Sequence, residues 1–150
     1  GGEAAMRILR SVLIGLAFSG IAATALADEG RVYQEGPVIE VSYIRTKPGK
    51  FDDYMKFLAT TYRTLMEANK KAGLILDYNI YSATPRSPQD PDLLLTTTYP
   101  NMAALDRSEE ADALAVKTIG SMASQNQSAI DREALREVLG SELVRKLVLE

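Results

Sequence analysis

Cysteine, histidine and tryptophan are all absent from this 150-residue chain. Without a thiol there is no disulfide, no sulfur nucleophile and no iron–sulfur ligation by this chain alone. Without an imidazole the usual base near neutral pH and the commonest transition-metal ligand are both missing. Ser-His-Asp hydrolysis, histidine-held zinc and histidine-ligated haem fall away together, and tyrosine ligation is the haem option left. A surplus of positive charge is missing too. The chain carries 17 basic and 20 acidic residues, a formal net charge of −3, opposite to what a phosphate-backbone binder needs. Nucleic acid is therefore not an expected partner, and no metal or cofactor is implied.

A membrane-length apolar run is also wanting. The span from Ser11 to Ala27 reaches only the short edge of the roughly 17–25 residues that cross a bilayer, and Gly15, Ser19, Gly20 and Thr24 dilute it. What this region does contain is a secretory signal. Met6-Arg7-Ile8-Leu9-Arg10 is a positive start, Val12 to Ile21 a short apolar core, and Ala25-Leu26-Ala27 a small-residue exit ahead of Asp28. An uncleaved anchor is the competing reading. With no cysteine at the junction, lipid attachment there is excluded. Residues 1–27 are thus expected to be removed, with the mature protein in the periplasm or secreted and not inserted in a membrane. About 120 residues then remain, enough for one domain with a core of its own. Residues 28–37, polar and with two glycines, read as a flexible lead-in to a domain over 38–150.

Within that domain, Val38 to Thr46 alternates as a β-branched strand. Ile39, Val41 and Tyr43 share one side with Arg45; Val38, Glu40, Ser42 and Ile44 share the other. Lys47-Pro48-Gly49 stops it. Phe51, Tyr54, Met55, Leu58, Tyr62, Leu65 and Met66 recur at steps of three and four, predicting a helix over Lys50–Lys71 ended by Gly73. Asp52 and Asp53 in its first turn and Lys70 and Lys71 in its last suit the helix dipole. Leu74 to Ser82 and Asp92 to Tyr99 predict a hairpin whose long loop holds three prolines. Asn101 is a candidate N-cap for a helix in two pieces broken around Arg107-Ser108. Gly120 to Asn126 is ambiguous. Asp131 to Leu139 reads as a short helix with Leu135, Val138 and Leu139 inward and Gly140 as its end, before a last strand over Leu143–Leu149.

The order β-α-β-β-α-β, with an extra C-terminal helical segment, is the α+β, ferredoxin-like pattern. Helices on one face of such a sheet leave the other needing cover, so a homodimer through the sheets is expected. Val38 to Lys50, running strand, Lys-Pro-Gly and helix, together with Met102-Ala103-Ala104-Leu105-Asp106, resembles the dimeric α/β-barrel superfamily of stress-responsive and antibiotic-biosynthesis-monooxygenase-like domains. That resemblance implies two sheets closing one barrel per dimer, with ligands between sheet and helices. It also implies that some members are cofactor-independent oxygenases and others are haem-dependent.

Candidate site residues follow from the strand and helix faces. Tyr43, Tyr54, Tyr62 and Tyr78 could line a helix–sheet cavity, each burying a ring while keeping a hydroxyl free. Arg45 or Asn79 would fix a polar end, and Asp77 would be the partner of Arg45 or a general base. The plainer reading of Asp77, Asn79 and Tyr81 is a polar row with an ordinary salt bridge. For Tyr54 and Tyr62 it is core packing, and for Glu109, Glu110 and Asp112 a solvated helix surface. No residue is assigned a catalytic role. Two functions stand: an exported protein that binds a small, partly apolar ligand or serves as a structural dimer, and a cofactor-independent monooxygenase or isomerase acting on an aromatic substrate.

Overall fold

The computed structural model describes residues 30–150; the expected leader and its cleavage point lie outside them. Strand β1 spans Tyr33–Thr46, which is longer than Val38–Thr46. Part of the segment read as a flexible lead-in is therefore strand, because Tyr33, Gln34 and Glu35 pair with Leu149, Val148 and Leu147. The pairing shifts register between Glu35 and Val38. Pro37 has no donor to give the ladder there, and a Cβ on Gly36 would stand 3.0 Å from the Lys146 carbonyl.

One helical rod follows in three parts: α1 (Phe51–Phe57), a π-helical turn (Leu58–Tyr62) and α2 (Arg63–Lys71). The Arg63 N–H donates to the Leu58 carbonyl, the five-residue step of the widened turn. The rod stops in a Schellman arrangement. Gly73, at φ +74°, donates to Lys70 O, and Leu74 donates to Asn69 O. Leu74 and Ile75 are not strand, as the alternation suggests, but bury themselves below the rod's end. Strand β2 is Asp77–Ser82 and β3 Leu93–Tyr99. Asp92 pins the proline loop between them to the end of β1, accepting from the backbone N–H and hydroxyl of Thr46.

A 3-10 turn at Met102–Asp106, capped by the Asn101 side chain, leads to α3 (Ser108–Ile119), in two pieces as the sequence suggests. Helix α4 then occupies Met122–Glu133 and β4 runs Arg136–Leu149. The helix expected over Asp131–Leu139 is thus a correction. Gly140 lies inside a strand, next to a bulge where Leu139 is skipped between the pairs Tyr43–Gly140 and Ile44–Val138. Long pairing with β1 outweighs the short helical period there.

The sheet is antiparallel throughout, in the order β2-β3-β1-β4, which gives the ferredoxin-like topology with one extra helix. Ile44, Leu93, Tyr54 and Leu58 form the centre of the core, joined by Ile80 and Leu95. Truncating Leu58 or Leu93 to alanine costs about 2–5 kcal/mol, since each is almost fully enclosed. The same face of the sheet carries Thr97 and Tyr99 under α3. Its opposite face presents Ile39, Val41 and Tyr43 beside Leu94, Thr96 and Thr98, and no element of the described chain lies over them.

Enclosure also acts on the phenols of the helix-side face. Burial pushes the Tyr62 hydroxyl up to about 12, slightly opposed by a hydrogen bond with Thr97. Burial and the adjacent Glu40 carboxylate push Tyr99 up to about 12. Unfolded phenols ionise near 10. The stabilisation from keeping these two neutral is complete below that pH and disappears as pH rises toward 12. The melting temperature should fall across this interval while phenolate absorbance shows a late-ionising class. Tyr62→Phe should flatten the fall; ionisation of every tyrosine near 10 with unchanged melting would contradict the assignment.

Candidate ligand cavity

Between the helical rod, α4 and the helix-side face of the sheet lies a cavity of about 490 Å³. Its floor is Ser42, Ile44, Leu95 and Val138. The rod supplies Tyr54, Phe57, Thr61, Tyr62 and Leu65. The π turn sets this wall, because one extra residue in the turn re-phases the rod between Phe57 and Leu65. The hydroxyls of Thr60, within the turn, and Thr64, just after it, donate to the carbonyls of Lys56 and Thr60 at 2.8 Å.

Helix α4 makes the far wall, and it is oriented against the usual rule. Gln125, Ser128 and Arg132, at steps of three and four, face the cavity, whereas Ile130 points away with 64% of its surface exposed. No residue of α4 is buried. Ser121 caps it, accepting from the Ser124 N–H, and Gln125 donates to the Gly120 carbonyl at 2.8 Å. The helix is therefore formed by its ends and held over a void, not by an apolar stripe against the sheet.

Two arginines govern the electrostatics. The Arg132 guanidinium sits 4.7 Å from the centre of the Phe57 ring, and that of Arg136 lies 5.6 Å from the Tyr54 ring. Arg132 also donates to the Ser128 hydroxyl at 3.1 Å. The Nε of Arg136 is shut away from solvent and donates to nothing among the described residues. The cavity wall contains no carboxylate. Desolvation first, then the neighbouring Arg136, holds Arg132 below its ordinary value. Burial pushes the Tyr54 phenol up, partly offset by Arg136 and Arg132. Near neutral pH the wall therefore offers neutral hydroxyl donors and two cations, with no group poised to accept a proton.

Of the seven residues singled out from the sequence, Tyr54 and Tyr62 line this cavity. Tyr78 packs edge-on behind Tyr62, with ring centres 6.0 Å apart, and donates to Glu67 at 2.6 Å. The other four lie elsewhere. Tyr43 is on the helix-free face, where its hydroxyl bonds to Glu142, which raises the phenol's pKa. Arg45 is paired with Glu137 at 2.6 Å and donates to Pro88 O, in a depression beside the proline loop that shares no lining residue with the cavity. Asp77 pairs with Lys70 at 3.2 Å, not with Arg45, and accepts from Asn79. Hydrogen bonding to Lys70 holds the Asp77 carboxyl below the usual range, so it is an ordinary ionised surface acid. Arg132, Arg136, Gln125 and Ser128 were not singled out. Their signal is the polar i, i+3/i+4 series 125, 128, 132, 136, hidden because the expected helix over Asp131–Leu139 starts more than two turns after the observed one.

Among the described residues no three His, Cys, Asp or Glu side chains gather as a metal site, and no helix is long and apolar enough to cross a membrane. No protein-family model and no curated protein matches the chain. Similar solved structures include the protein SO0527 from Shewanella oneidensis, at 17% identity and TM-score 0.49, spanning 77% of this chain and 96% of that one. HapK from Hahella chejuensis is 10% identical with TM-score 0.48, over 73% of this chain and 91% of its own. A dimeric ferredoxin-like protein from an uncultured marine organism is 8% identical with TM-score 0.48, over 78% and 90%. At these values the likeness assigns neither ligand nor activity.

Proposed function

We propose that this is an exported protein that binds one small, partly apolar molecule per chain in the cavity between sheet and helices, and that two copies pair through their helix-free sheet faces to close a barrel. The orientation of α4 carries the binding reading. A helix that turns glutamine, serine and arginine toward the core and isoleucine toward water loses hydrophobic stabilisation, a pattern that makes physical sense where those groups meet a ligand. The cavity's volume and its mixed apolar and hydroxyl lining suit a compact organic molecule. The oxygenase or isomerase reading needs a group to take a proton from substrate. Its named acid, Asp77, is paired with Lys70 and does not line the cavity, and both cavity tyrosines are held neutral. Binding is favoured on that chemistry. The leader read in residues 6–27 would put this binding in the periplasm or outside the cell.

Support for pairing comes from β4. It is an edge strand with Leu143, Leu147 and Leu149 in alternation with Val144 and Val148, all exposed. A strand apolar on both sides at a sheet edge invites association, and a second copy offers both an apolar sheet and a matching edge.

Two measurements test the proposal. A neutral fluorescent reporter, N-phenyl-1-naphthylamine, should bind saturably at one per chain, and Ser128→Trp should abolish that binding while circular dichroism stays unchanged. Undiminished binding in the folded variant would contradict the cavity site. In sedimentation equilibrium the protein should weigh twice the chain mass and a Val144→Glu/Leu147→Glu double variant should shift to monomer; a wild-type monomer would refute the pairing.

A further inference from the structure

We infer that the cavity's ligand is an organic carboxylate, its anionic head held between Arg132 and Arg136 and its flat apolar body lying against the sheet. This rests on the binding reading above and gives the ligand its chemical class.

The first observation concerns how the arginines are partnered. Arg45, Arg86, Arg107 and Arg145 each have a carboxylate partner, at 2.6, 3.3, 2.8 and 2.8 Å. Arg63 forms no ion pair among the described residues, but it is exposed to water, which solvates its charge. Arg132 and Arg136 have none among the described residues, although they are the two that line the cavity. Glu133, next to Arg132 in the chain, acts on it through space without forming an ion pair. Two like charges brought together in a partly desolvated wall repel each other, and an anion between them removes that cost.

The second observation is geometric. Each guanidinium lies near an aromatic ring, Arg132 over Phe57 and Arg136 by Tyr54. These contacts, with the Ser128 bond, restrain two planar donor forks before any ligand arrives. Planar forks match a carboxylate with two parallel hydrogen bonds. The remaining wall divides accordingly. The phenol of Tyr54 lies on the arginine side, while Ile44, Leu65, Leu95 and Val138 supply apolar surface for the body. A cationic ligand has nothing to meet, because the wall lacks any acid.

The test compares isosteric ligands on the intact protein by calorimetry: 2-naphthoate, 2-naphthamide and 2-naphthylmethylammonium. Naphthoate should bind roughly ten- to a hundredfold more tightly than the amide, and the ammonium should be weakest. Arg132→Gln should remove about tenfold of the naphthoate-over-naphthamide preference. Arg132→Lys, which keeps charge but not the planar fork, should recover only part of it. Equal affinities for naphthoate and naphthamide would overturn the carboxylate inference and leave the cavity reading standing. Binding of none of the three, together with failure of the neutral reporter, would overturn both. The wild-type comparison decides the matter even if a variant misfolds.

Discussion

Two guanidinium groups face one cavity with no acid to answer them, and the arrangement of the C-terminal half of the domain follows from holding them there. Arg132 ends α4 and Arg136 begins β4, so the tight turn at Ala134-Leu135 fixes both at once. Leu135 packs against the core, and its carbonyl accepts from the Lys47 N–H, tying the turn to the end of β1. Position is thus set by backbone and by one apolar anchor, which leaves the charged groups free for another task. Their own contacts are to aromatic faces and a serine, interactions that orient a cation without neutralising it.

The rest of the fold supplies a rigid frame for that wall. Strand β1 is paired on both sides, with β3 and with β4, and its two faces serve different ends. Val38, Ser42 and Ile44 turn toward the helices; Ile39, Val41 and Tyr43 turn away. Both sides of the strand therefore carry branched apolar residues, although helices cover only one of them. Apolar side chains on an uncovered face gain from burial against a second surface. The helix rod is well anchored, with Tyr54 and Leu58 almost wholly buried, while α4 buries nothing. Core burial is therefore concentrated at one wall of the cavity and absent from the other.

Much of the fold was legible because its signals are local and periodic. The rod from Phe51 to Lys71, the stop at Gly73, the proline loop and the Asn101 cap follow from spacing and turn chemistry alone. The misreadings cluster where a long-range partner decides. Tyr33–Pro37 has lead-in composition but gains a ladder with Leu147–Leu149. Arg136–Gly140 has helical spacing but pairs with Tyr43–Thr46. The candidate site suffered more. Tyr54 and Tyr62 are on a face that periodicity reveals, yet Arg45 and Asp77 carried the charge expected of a site and have local partners instead. Arg132 and Arg136 drew no notice because an arginine pair on a polar helix ordinarily means solvent. Only the placement of α4 over a void turns them inward.

The most direct measurement is a titration of the protein with 2-naphthoate, followed by the arginine Nε–Hε signals in heteronuclear NMR. The account predicts that Arg132 and Arg136 shift together and saturate at one ligand per chain, while Arg45, Arg86 and Arg107 stay where they are. Movement confined to Arg45 or Arg107, or no movement of the two cavity arginines at saturation, would contradict it.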